Sequence, residues 1–129
     1  MAQFLSPEWM DELNQAIADD PELAESSAGV HLTLQQVVMG AGQVDATYAI
    51  HIDDGALQVV PGGVEEPDVT FTEDYDTAAA LSRGELTAQT ALLNGRIRVQ
   101  GDTNALARGQ EALGRAQVCF DRVRERTSY

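Results

Sequence analysis

The 129 residues contain no lysine, one cysteine and few aromatics: three Phe, three Tyr and one Trp. The lone Cys119 excludes an internal disulfide and fits a reducing cytoplasm, the expected location. A half-buried helix thiol is its expected role rather than a nucleophile. No run approaches the ~18 consecutive apolar residues of a membrane span. The opening M-A-Q-F-L-S-P-E-W has no basic region ahead of an apolar one, so it does not read as a secretory signal. Lysine and arginine are absent before Arg83, and all 8 basic residues, Arg83 included, are Arg. Residues 1–82 hold 16 of the 21 acids, and the chain carries a formal net charge of -13. Such a field repels nucleic acid, which is excluded as a partner, and leaves at most weak or transient contact with anionic membranes. G-x-S-x-G, P-loop, H-E-x-x-H and C-x-x-C patterns are all missing, so no catalytic set, metal or cofactor is expected.

What is present is a series of local start and stop signals. Ser6-Pro7 and Asp20-Pro21 each pair an N-cap with proline at the first helical position. Trp9, Leu13, Ala16 and Ile17 share one face of the first helix, and the second runs from Pro21 to about Ser26. From Gly29 the period becomes two. Val30, Leu32 and Leu34 alternate with polar residues, and after Gly40-Ala41-Gly42 so do Val44, Ala46, Tyr48, Ile50 and Ile52. A hairpin folded about Ala41 pairs Leu32 with Ile50 and Leu34 with Tyr48. Asp54-Gly55 is a two-residue turn into a third strand, 56–60. A fourth strand covers about 68–72, with Val69 and Phe71 inward. Thr72 is read as the cap of a helix through Leu81, stopped by Gly84, and Thr87 as the cap of another through Leu93, stopped by Gly95. Ile97 and Val99 oppose Arg96 and Arg98 in a fifth strand. Asp102 caps one last helix, on which Leu106, Leu113 and Phe120 recur every seven residues. The pattern predicts one domain over residues 1–129 of the α+β class, with a mixed, mainly antiparallel five-stranded sheet covered on one face by helices.

The same hairpin register sets His31 opposite His51, with Asp45 and Asp53 on the same side. Two histidines without a third fixed ligand make a weak metal signal, and a solvated sheet face is the expected role. The helices are rich in alanine while the core is poor in aromatics, which leaves room for an apolar ligand under them.

The strings D-G-A-L-Q-V-V at 54–60, P-D-V-T-F-T at 67–72, L-S-R-G-E-L at 81–86 and N-G-R-I-R-V-Q-G-D at 94–102 carry a resemblance. In order and spacing, over about residues 29–115, the chain resembles the sterol carrier protein type two (sterol-binding domain) family. The helix F-L-S-P-E-W is similar to that of small stand-alone bacterial members. The resemblance implies a five-stranded sheet, an apolar tunnel beneath helices, and binding of a sterol, fatty acid, fatty acyl-CoA or other lipid. The expected cavity wall is Ile50, Leu57, Phe71, Leu81, Leu92, Leu106, Leu113 and Phe120, with Arg96, Arg98 and Arg108 as headgroup contacts. Two alternatives remain open on the residues alone. One is a small enzyme or biosynthetic accessory using His31, His51, Asp45 or Asp53 as acid–base groups; the other is a homodimeric interaction module.

Overall fold

A computed structural model describes residues 2–40 and 45–129. After a two-residue strand, β1 (Ala2–Gln3), the Ser6 hydroxyl accepts from the Trp9 amide at 3.2 Å and starts α1 (Pro7–Ala18). Its apolar stripe, Trp9, Met10, Leu13, Ala16 and Ile17, is buried, as the helical period requires. Asp20 starts α2 (Pro21–Ser26) by accepting from the amides of Glu22 and Leu23.

Five strands then form one mixed sheet: β2 (His31–Met39), β3 (Ala46–Asp53), β4 (Ala56–Pro61), β5 (Val69–Asp74) and β6 (Arg98–Gly101). Their spatial order is β4-β3-β2-β5-β6; β2 and β5 are parallel and the other neighbours antiparallel. This is the expected α+β sheet. Asp54 and Gly55 adopt φ of 45° and 93°, the left-handed pair that a tight two-residue hairpin needs. Two helices link β5 to β6: α3 (Tyr75–Ser82) and α4 (Ala88–Leu93). After β6 come α5 (Thr103–Arg108), α6 (Gln110–Arg124) and a short β7 (Thr127–Ser128) that pairs in parallel with β1. Leu32, Leu34, Ile50, Ile52 and Val69 point from the sheet into the core and are almost fully buried. α1 packs on β4 and α6, and α2 and α3 also meet α6.

Three local expectations need correction. The hairpin is offset by two residues: Leu34 faces Ile50, Leu32 faces Ile52, and His31 faces Asp53, not His51. The expected turn at Gly40–Gly42 and strand start at Val44 fall largely at 41–44, outside the described residues. Helix α3 is capped by Asp74, whose side chain accepts from the Thr77 amide at 2.8 Å, not by Thr72. β5 runs on because β2 remains available for pairing as far as Met39, opposite Asp74. The single last helix is two helices. Asp102 caps the first as expected, but the chain breaks at Gly109, where an added Cβ would stand 2.7 Å from the Leu32 side chain. The break therefore sits where helix backbone presses closest to β2. Finally, the β1–β7 pair was not foreseen, because two residues are too short to show a period.

Gly101 is the tightest backbone contact at the sheet edge. It has φ of 113°, and a Cβ there would collide with the Asp68 carbonyl oxygen. Backbone cannot move aside as a flexible side chain can. Gly101→Ala is expected to destabilise by about 1–3 kcal/mol, seen as a lower urea or thermal midpoint. An unchanged midpoint would show that the edge relaxes freely.

Candidate functional site

The helices do not fill the space above the sheet. An apolar cavity of about 150 Å³ remains between the layers. Its floor is Leu34 and Gln36 of β2, Tyr48 and Ile50 of β3, and Phe71 and Glu73 of β5. Its roof includes Leu81 and Ala78 of α3 and Leu113, Ala116 and Phe120 of α6. Alanines stop short of the sheet, and close-packed interiors otherwise leave few such voids.

The scarce aromatics are concentrated here. Phe4 and Trp9 line the cavity and stand edge to face with centroids 5.0 Å apart. Trp9 also meets Tyr48 at 5.7 Å and Phe120 at 6.3 Å, while Phe4 meets Tyr129 at 5.0 Å. Such ring contacts add stability beyond burial. The β1–β7 pair brings Phe4, which lines the cavity, against Tyr129 behind it.

Of the side chains expected in the wall, Ile50, Phe71, Leu81, Leu113 and Phe120 line this cavity. Leu57 and Leu106 pack half-buried against the core elsewhere, and Leu92 lies on α4 at 38% exposure beside the more exposed Leu93. No arginine is among the lining residues. Arg96 Nε donates to Thr77 Oγ1 at 3.1 Å and braces the start of α3. Arg98 is exposed on β6, and Arg108 borders a separate surface depression with Gly29, Val30 and His31. The histidines keep to separate contacts. His31 Nδ1 lies 2.9 Å from Asp53 Oδ1, His51 Nδ1 lies 3.4 Å from Thr33 Oγ1, and Asp45 accepts from the Gly40 amide. Among the described residues no group of three or more His, Cys, Asp or Glu is placed to hold a metal ion.

Sequence reasoning missed the polar part of the cavity. Glu73 is 5% exposed, and among the described residues neither its Oε2 nor Gln36 Oε1 meets a protein donor. Burial, and then the neighbouring Asp74 charge, push the Glu73 carboxyl up to about 7. Burial and the Glu73 charge likewise raise the Tyr48 phenol, which stays protonated. The available signal was parity: Val69, Phe71 and Glu73 share one face once β5 is allowed to continue to Asp74.

A second polar cluster ties the helices together away from the cavity. Asp20 is 4% exposed and takes Arg115 Nη2 at 2.9 Å and Arg122 Nη1 at 3.2 Å. Both arginines lie on α6, seven residues apart. Cys119, fully buried rather than half-buried, directs its thiol at Asp20 Oδ2 at 3.5 Å. Burial and then that hydrogen bond push the thiol up to about 11, so it is not a thiolate nucleophile at neutral pH.

The description of the SCP-2 sterol transfer family matches residues 12–114. A crystal structure of sterol carrier protein 2 superposes with a TM-score of 0.77 at 16% identity, covering 92% of this chain and 98% of that one. Sterol carrier protein domain 2 of Helicoverpa armigera gives 0.64 at 27% identity, covering 86% and 87%. Palmitated SCP2L2 from Aedes aegypti gives 0.62 at 24% identity, covering 88% and 94%. A search of curated proteins finds no significant match. No helix among the described residues is long and apolar enough to cross a membrane.

Proposed function

Because the chain belongs to the SCP-2 sterol transfer family, we propose that it binds a lipid between the sheet and its helices and carries or presents it. The observation that carries this reading is the apolar cavity under α3 and α6, walled by Phe4, Trp9 and Phe120. The palmitated mosquito protein supports a ligand with an acyl-like chain. Each methylene moved from water into such a wall contributes about 0.8 kcal/mol. A chain of useful affinity therefore needs few polar contacts.

Size sets a condition on this mechanism. A volume of about 150 Å³ suits a molecule about as large as benzene, whereas sites for larger ligands start near ~300 Å³. A long chain must widen the site. Of the helices that line the cavity, α4 has the least to lose by moving, since Ala91 is its one buried residue and Leu92 and Leu93 already face solvent. In the proposed cycle α4 yields, the chain enters, and Leu92 and Leu93 gain apolar contact as it does.

The test is titration with Nile red, an uncharged apolar dye, of protein purified without detergent. The wild type is expected to bind it. Ala116→Phe, which fills the roof of the cavity, is expected to weaken binding by about tenfold, the loss of roughly two buried methylenes. Equal binding by both proteins would move the ligand site elsewhere.

A further inference from the structure

Glu73 is chemically out of place in this cavity. It stands on an apolar floor at 5% exposure, and its Oε2 and the Oε1 of Gln36 are two acceptors lining one space without donors among the described residues. The two residues lie on adjacent parallel strands. Gln36 pairs with Phe71, and Glu73 pairs with Val38, the next inward position of β2. The other inward positions of that strand, Leu32, Leu34 and Val38, are aliphatic and nearly fully buried. A buried acceptor left without a donor costs more than a hydrogen bond gains, so folding alone does not favour the arrangement. A site that must hold a donor-bearing group does favour it, because buried polar groups reject ligands that leave them unpaired.

We propose that the cavity takes an amphiphile whose buried end is a hydroxyl or an amine, held between Glu73 and Gln36, and discriminates against one ending in a carboxylate. This rests on the lipid-binding reading above and specifies its ligand. The chemistry follows from donor counting. With Glu73 ionised, a hydroxyl donates to it and an ammonium donates to both Glu73 and Gln36; with Glu73 protonated, a hydroxyl accepts from it and donates to Gln36. A carboxylate brings only acceptors and a second negative charge.

The surroundings offer that charge no compensation. Asp74 adjoins Glu73 in β5, β3 presents Tyr48, α3 presents Ser82 and α6 presents Gln117. Ser82 is already engaged with the Tyr129 hydroxyl. No basic side chain is among the lining residues. In a water-poor space two like charges at this separation disfavour joint ionisation.

The experiment is displacement of Nile red at pH 8 by decanol, decylamine and decanoate, from wild type and Glu73→Gln. In the wild type, decanol and decylamine are expected to displace the dye at concentrations about tenfold or more below decanoate. In Glu73→Gln, decanoate should gain about tenfold and decylamine lose about tenfold. Attraction of the amine to the overall charge of -13 would persist in the variant, so loss of the amine preference locates the effect at Glu73. Dye displaced equally by all three, or an unchanged ranking in the variant, overturns the inference while leaving lipid binding intact. Failure of the wild type to bind dye or any amphiphile removes both.

Discussion

At pH 8, ligand-free Glu73→Gln is expected to be more stable than the wild type by about 3 kcal/mol, an upward shift of about 10 °C in Tm. The cause is burial of a carboxyl without a cation. Its folded value of about 7 lies above the ordinary 4.5. Below pH 4.5 folded and unfolded chains both hold the proton, and the group costs nothing electrostatically. Between 4.5 and 7 the unfolded chain releases the proton first, so stability falls as pH rises. Above 7 the folded state is ionised too and the penalty is constant. The gain from the amide should therefore be small at pH 4 and full at pH 8. Thermal melts of both proteins across that range check it, and parallel curves would show that Glu73 is relieved by other means. A substitution that stabilises the fold while reversing ligand preference is the signature of a functional residue kept at a cost.

Asp20→Ala is expected to have the opposite and larger consequence, a fall in Tm on the order of 10 °C or more. One side chain serves α2 as its cap and joins it to α6 through Arg115, Arg122 and Cys119. Removal leaves Arg122 and the buried Cys119 thiol without their acceptor and Arg115 with Glu22 alone, 3.1 Å from its Nη1. Burial works against the ionised form of Asp20, but hydrogen bonds from Arg115, the Leu23 amide and Cys119 together hold its carboxyl below the ordinary value of 3.8. Its contribution is thus present above pH 3.8 and lost as pH falls through the lower folded value. Asp20→Asn separates the roles, since asparagine caps as well as aspartate but cannot neutralise the arginines. Its Tm should lie between those of Ala and wild type. An alanine variant melting with the wild type would mean that packing alone holds α2 to α6.

How far each feature could be read from the chain follows its range in sequence. Ser6, Asp20, Thr87 and Asp102 act on amides two or three residues away, and each caps the helix expected of it. Asp54-Gly55 makes its hairpin by its own backbone preference. The β2–β3 register failed because a slip of two residues leaves alternation unchanged. The α3 cap failed for a related reason. Thr72 and Asp74 are both competent caps, and the choice was made by how far β2 extends alongside. The break at Gly109 is a contact with Leu32, distant in sequence.

The candidate site divides the same way. Ile50, Phe71, Leu81, Leu113 and Phe120 were legible because strand or helix period alone turns them inward. Leu57, Leu92 and Leu106 satisfy the same periods, and only the placement of β4, α4 and α5 keeps them out of the wall.

By itself, then, the sequence determined the helix caps at Ser6, Asp20, Thr87 and Asp102, which faces are apolar, and the family to which the chain belongs, since these depend on near neighbours and on order along the chain. Tertiary structure alone decided that Phe4 meets Tyr129, that Asp20 is gripped by Arg115 and Arg122, and that Gln36 and Glu73 share one cavity. Each of these joins residues whose separation along the chain carries no periodic trace. Their proximity is set by strand order and by how closely helices approach the sheet.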